Sequence, residues 1–317
     1  MSMACLYSVV AYGEDRVALA PILDEALDEV DRIDRLMSHY RADSPLSQLN
    51  RTAARGPVAP EPELFDFIAT AVRFSIESGG AFDITVGPLM KAWGFFGGDG
   101  RLPAPGELAR ARAVTGYRRL VIDAGRRTIE FDRPGVEIDL GGIAKGYAVD
   151  RAVGVLRRRG ITAALVSAGG STLYAIGTRP GGSPWQVAVQ DPVDGRRVAF
   201  TVALVDRALS MAGASEKWFE AGGTRYSHIM DPRTGRPVQG LLSVAVLAAT
   251  GTEGDALDDA LFVEGVERTR ALLAGHERSE AYFLLPAGRH AWRTVHVAAP
   301  RSGVDREAAS PPDRTRM

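Results

Sequence analysis

The stretch Val136-Glu137-Ile138-Asp139-Leu140-Gly141-Gly142-Ile143-Ala144-Lys145-Gly146-Tyr147-Ala148-Val149-Asp150 organises the chain. Val136, Ile138 and Leu140 alternate with Glu137 and Asp139, which predicts a strand with one buried face. Gly141-Gly142 breaks the alternation. From there the spacing of Ile143, Tyr147, Val153 and Leu156 predicts a helix running to Gly160. A strand that enters a helix through a Gly-Gly turn lets backbone N–H groups approach a phosphate, and Lys145 in the first turn adds positive charge. The spacing matches neither a P-loop nor a dinucleotide-binding fingerprint. On these residues alone, a plain β–α connection with a solvated lysine is the alternative reading.

Around this stretch the composition is that of an ordinary globular chain: 317 residues, 45% hydrophobic, 24% charged, formal net charge −1. Without a charge excess, nucleic acid and anionic membrane surfaces are not expected partners. A single cysteine, Cys5, excludes a disulfide framework and a thiolate metal cluster. No apolar run approaches the length of a transmembrane segment. The first ten residues lack a basic region followed by an apolar stretch and a cleavage site, so a cytoplasmic protein is expected from the sequence as written. An extracytoplasmic one would need a leader.

Upstream, residues 3–12 read as a short strand and residues 21–40 as an amphipathic helix with Leu23, Ala26, Leu27, Val30, Ile33, Leu36 and Met37 on one stripe. Asp24, Glu25, Asp28 and Glu29 sit in what would be its first turns. A second helix spans about Glu61 to Ser78 and stops at Gly79-Gly80. Residues 81–89 form a compact loop, and 95–106, with their glycines and prolines, a surface excursion. Strands at 118–123 and 127–131 predict a hairpin. Downstream, strands are expected at 163–167, 185–190, 198–205, 241–249, 281–285 and 293–298. Ser210 to Ser215 reads as a ligand-facing loop, and Asp231-Pro232-Arg233-Thr234-Gly235 as a turn. With no repeat or linker, residues 1–298 read as one α+β domain, and 299–317 as a disordered tail.

A second loaded stretch is Thr252-Glu253-Gly254-Asp255-Ala256-Leu257-Asp258-Asp259-Ala260-Leu261-Phe262, expected as a helix over 252–264. Asp255, Asp258 and Asp259 fall three and four apart on one helical face, where like charges repel unless a cation compensates. Carboxylate oxygens suit Mg²⁺ or Ca²⁺ better than zinc. An acidic helix N-terminus favoured by the dipole is the plainer alternative.

Together these stretches resemble the ApbE family, the FAD:protein FMN transferases. The matching segments occur in order: Met37 to Ser44 with Leu49-Asn50, Ala81 to Leu89 with Trp93-Gly94, Asp139 to Asp150, Ala168-Gly169-Gly170, Ser227 to Gly235, and Asp255 to Leu261. The resemblance implies a single T-fold-like α+β domain with mixed or antiparallel sheets and flanking helices. It implies an enzyme that binds FAD as substrate with Mg²⁺ and passes FMN to a threonine hydroxyl of an acceptor flavoprotein, releasing AMP. By motif, the metal site would comprise the carbonyl of Gly142 with Asp255, Asp258 and Asp259. The flavin site would draw on Met3, Tyr40, Ala81, Phe82, Asp83, Asp139, Lys145 and Ile229. His228 is the candidate general base, with a turn-orienting histidine as the alternative. For Asp139 the alternative is a capping or turn residue.

The chain departs from the family pattern in three places. Asp259 stands where threonine is usual, Met211-Ala212-Gly213 where Thr-Ser-Gly is usual with Ser215 for the tyrosine that follows, and Ser171 where aspartate is usual. Loss of hydroxyls near 211 keeps two alternatives open: an FAD pyrophosphatase giving FMN and AMP, and a flavin-binding protein without turnover.

Overall fold

The computed structural model describes residues 5–288 and 291–300. Met3 and residues 301–317, which carry one site expectation and most of the tail expectation, lie outside them. Ala299 is described, and it is buried with its N–H on the Ser279 carbonyl, so the ordered body reaches past residue 298.

The chain opens with β1 (Tyr7–Ala11), then helices α1 (Arg16–Met37), α2 (Pro45–Thr52), α3 (Pro62–Glu77), α4 (Gly87–Ala92) and α5 (Pro105–Ala113). A hairpin of β2 (Leu120–Asp123) and β3 (Thr128–Phe131) leads to α6 (Ala144–Arg158). After β4 (Ala164–Ala168) and β5 (Thr172–Ile176) come the hairpin β6 (Trp185–Gln190) and β7 (Val198–Leu204), and β8 (Arg207–Gly213). Two short pairs follow, β9 (Trp218–Ala221) with β10 (Thr224–Ser227) and β11 (Met230–Asp231) with β12 (Arg236–Pro237). The body closes with β13 (Ser243–Ala248), α7 (Gly251–Leu272), β14 (Glu280–Pro286) and β15 (Trp292–Ala298).

Seven strands form one sheet in the order β1-β4-β5-β8-β13-β14-β15, every neighbouring pair antiparallel. All five residues of β5 are buried, because both faces of the sheet are covered. Leu173 and Ala175 of β5, with Leu209, Ala245 and Leu247, pack against Trp185, Val187 and Val202 of the β6–β7 hairpin. The alternate residues Tyr174, Ile176 and Ala208 face the helices, meeting Val149, Val153 and Leu156 of α6 and Ala256 of α7. Alternation also points Thr172 and Ser210, paired across β5 and β8, toward α7. That places two hydroxyls under the carboxylate helix.

Several boundaries differ from the sequence reading. Helix α1 starts at Arg16, where Asp15 accepts the N–H groups of Val17 and Ala18. Asp24 to Glu29 therefore lie mid-helix, and Glu29 pairs with Arg32 and Arg151 instead of serving the dipole. The helix expected over 252–264 starts at Gly251 and kinks at Gly265, whose φ of 70° leaves the helical region, before continuing to Leu272. Ser210 to Gly213 form the end of central strand β8, not a loop. Small side chains there are weak strand formers, but two flanking strands override that preference.

Residues 136–140 alternate as expected, with Val136, Ile138 and Leu140 buried. Yet they join no sheet. The side chain of Asn50 substitutes for a neighbouring strand, donating to the Ile138 carbonyl at 2.9 Å and accepting its N–H at 2.8 Å. The Asp139 N–H donates to the Ile84 carbonyl at 2.7 Å.

Candidate active site

Helices α6 and α7 meet at their first turns through glycine. A Cβ on Gly146 would overlap the Gly251 carbonyl, and one on Gly251 would overlap the Gly146 carbonyl. Asp150 of α6 ties the junction by accepting the N–H groups of Gly251 and Thr252 at 2.6 and 2.8 Å, and the Thr252 hydroxyl at 2.6 Å. This close approach delivers Lys145 and the three aspartates of α7 to the same corner.

In that corner Asp255 is fully engaged. Its Oδ2 accepts the Gly146 N–H at 2.9 Å and its Oδ1 accepts the Thr172 hydroxyl at 2.9 Å. Ser210 Oγ donates to Asp258 Oδ2 at 2.6 Å. Asp259 lies against the Gly-Gly turn, close enough that a Cβ on Gly142 would overlap its Oδ2. Among the described residues, no three His, Cys, Asp or Glu side chains already converge to hold a metal ion. Asp255 and Asp258 are instead hydrogen-bonded to the sheet hydroxyls of Thr172 and Ser210.

The electrostatics of the corner are unbalanced. Desolvation and the neighbouring Asp255 push Asp259 up to about 7, even with Lys145 opposing. Desolvation, with Asp259 and Asp255 adding to it, also holds Asp258 well above the usual carboxylate range. Burial works against the charge on Lys145, but Asp255, Glu216, Asp258 and Asp259 outweigh it and hold its pKa above the ordinary lysine value.

The opposite wall is a loop held by its own hydrogen bonds. Gly79 and Gly80, at φ 61° and 84°, end α3 in left-handed conformations. Ser78 Oγ accepts the Phe82 N–H, and Asp83 Oδ1 accepts both the N–H and the hydroxyl of Thr85 at 2.8 and 2.6 Å. Asp83 Oδ2 accepts the Tyr117 N–H at 2.6 Å. Burial pushes the Asp83 pKa up against these bonds. The carboxylate therefore holds the loop in place. Asp139 likewise accepts the Gly141 N–H at 2.8 Å, which makes it a turn residue at the cavity wall. Tyr40 is 59% exposed and stacks on Phe96 with ring centroids 4.9 Å apart.

His228 directly follows β10. Its Nδ1 lies 3.3 Å from the Lys217 carbonyl, and the five-residue turn at Asp231 is closed instead by Asp231 and Arg233. Desolvation lowers its pKa to about 4, so the ring is neutral near pH 7. With Nδ1 facing a carbonyl, the lone pair lies on Nε2.

A single cavity of ≈ 330 Å³ gathers Tyr40, Ala81, Phe82, Asp83, Asp139, Gly142, Lys145, His228, Ile229, Asp255, Asp258 and Asp259. These are all the described members of the set carried over by motif, and they come from five separate segments of the chain. Met211 and Ala212 line it too, as the ligand-facing reading of residues 210–215 expects, together with Met37, His39, Met90 and Glu216, which were not singled out. For His39 a signal existed, a ring nitrogen beside Tyr40 in a matched segment. For Glu216 there was none.

The sequence matches the ApbE family over residues 3–283. The chain belongs to that family. A relative from Salmonella typhimurium, named FAD:protein FMN transferase, is 35% identical over 281 residues, spanning 86% of this chain and 79% of its own. One of the same name from Treponema pallidum is 33% identical, spanning 84% and 78%. Among solved structures, the ApbE protein of Thermotoga maritima superposes with a TM-score of 0.83 at 30% identity, over 94% of this chain and 95% of that one. The flavin transferase ApbE of Vibrio cholerae gives 0.80 at 31% identity, over 93% and 94%. The antiparallel sheet with its layer of helices is thus the ApbE fold.

Proposed function

We propose that this ApbE-family chain transfers FMN from FAD to a threonine hydroxyl of an acceptor flavoprotein and releases AMP. The observation that carries the reading is the gathering of every described motif residue around one cavity with a cationic lysine, an acidic corner and a neutral histidine. Relatives named FAD:protein FMN transferase support it.

The donor set fits a divalent cation. Three carboxyl groups and one lysine share a desolvated corner, and two of those carboxyls are pushed up in pKa by burial and by neighbouring carboxylates. Oxygen donors of this kind suit Mg²⁺. Asp255, Asp258, Asp259 and the Gly142 carbonyl would hold it, and when bound it supplies charge neutralisation on the pyrophosphate. Lys145 binds the phosphates and stabilises the charge that grows on them. Tyr40 and Phe82 contact the rings.

His228 Nε2 takes the proton as the acceptor oxygen bonds to the flavin-side phosphorus, while the bond from that phosphorus to the bridging oxygen breaks and AMP leaves. A histidine already neutral at pH 7 is ready for that step. The test is incubation with FAD, Mg²⁺ and a threonine-bearing acceptor. AMP formed together with an acceptor heavier by FMN supports transfer. AMP formed equally without acceptor makes the chain a pyrophosphatase, and FAD bound without AMP makes it a flavin-binding protein.

A further inference from the structure

Three buried side-chain polar atoms among the described residues lack a hydrogen-bond partner: His39 Nε2, Trp185 Nε1 and Ser227 Oγ. Only His39 also lines the cavity. Leaving such an atom unpaired in a folded protein costs ~1–3 kcal/mol, so its partner is normally supplied from elsewhere.

The geometry around His39 says what kind of partner it needs. Its Nδ1 lies 3.0 Å from Asp139 Oδ1, and an imidazole nitrogen that close to a carboxylate carries hydrogen, since two lone pairs would repel. Asp139 is itself pinned by the Gly141 N–H, so the ring is held from below. With the hydrogen on Nδ1, Nε2 is the acceptor side of the ring and awaits a donor. The ring also sits in an aromatic group, with centroids 4.0 Å from Tyr40 and 5.3 Å from Phe96. A flat ring entering beside these side chains would bring any in-plane N–H toward an imidazole edge.

We infer that His39, seated on Asp139, is a ring-binding residue whose Nε2 accepts a hydrogen bond from an in-plane N–H of one of the two flat rings of FAD. The inference rests on the FAD reading above. Both rings carry such a donor, an imide N–H on the isoalloxazine and an amine on the adenine, and the two are separable as fragments.

The experiment is titration calorimetry of the wild type, His39→Phe and His39→Gln with FAD, FMN and AMP. The phenylalanine keeps the stacking area and removes the acceptor. It should weaken one fragment, FMN or AMP, by about tenfold to a hundredfold and leave the other within about twofold. The glutamine amide oxygen should restore part of that loss. Equal binding of both fragments by wild type and His39→Phe overturns the assignment, as does equal weakening of both, which marks a merely structural role. His39→Leu provides the same comparison if the phenylalanine variant does not fold. A wild type that binds FAD but shows no His39 effect overturns this inference alone. A wild type that binds neither FAD nor its fragments overturns the functional reading as well.

Discussion

At the loop end of the cavity, both oxygens of Asp83 and the backbone of Phe82 and Asp139 have protein partners. At the helix end, Asp258 and Asp259 crowd beside Asp255 with Lys145 as the nearby cation. The loop end is complete as folded, apart from His39 Nε2. The helix end crowds three carboxyl groups beside one lysine, and two of them are pushed toward the protonated form. On the proposed reading the loop end receives a ring and the helix end a cation, a division that suits phosphoryl transfer from a dinucleotide.

Asp255→Ala should break the helix end most severely. It strips the Gly146 N–H and the Thr172 hydroxyl of their buried acceptor and removes the first counter-charge of Lys145. We expect AMP release to fall by at least about a hundredfold and stability by ~2–4 kcal/mol, read from the denaturant midpoint. Gly142→Ala is the finer cut. The added Cβ displaces the Asp259 carboxylate without disturbing either hydrogen-bonded aspartate. About tenfold weaker cation affinity by calorimetry, with stability changed by less than ~1 kcal/mol, is the expected result. Unchanged affinity would remove Asp259 from the cation site.

The acidic corner also makes a signed pH prediction. A carboxyl whose folded pKa is raised from 3.8 to about 7 favours folding in its protonated form, so its contribution is present below the unfolded pKa and is lost as pH rises toward 7. Asp259→Asn should therefore raise the melting temperature of cation-free protein at pH 8 more than at pH 4, and added Mg²⁺ should narrow the gap. At the loop end away from His39 the effect falls on ring binding alone. Tyr40→Ala removes the stack on Phe96 and should weaken FAD binding by about tenfold without altering cation affinity, whereas Tyr40→Phe should change it by less than about twofold.

What the sequence made legible follows the range of the interactions involved. The alternation at 136–140 and the helix after Gly142 are local patterns, and both were readable. The partner of the extended stretch was not, because Asn50 lies 88 residues from Ile138 and nothing in either segment names the other. Ser210 looked like part of a loop because its own preference is for turns. Its role as donor to Asp258 depends on the register between β5, β8 and β13. The aspartates were visible through helical spacing, but the turning of Asp255 and Asp258 toward Thr172 and Ser210 was not. Long-range register, then, separates the motif residues that could be named from the hydroxyls of Thr172 and Ser210 that support them.

The division between the two ends is tested most directly by equilibrium FAD binding and AMP release measured side by side in EDTA and in Mg²⁺. The loop end should bind FAD in both conditions, with AMP appearing only when Mg²⁺ is present. AMP released at the same rate in EDTA would contradict the assignment of the acidic corner to a divalent cation.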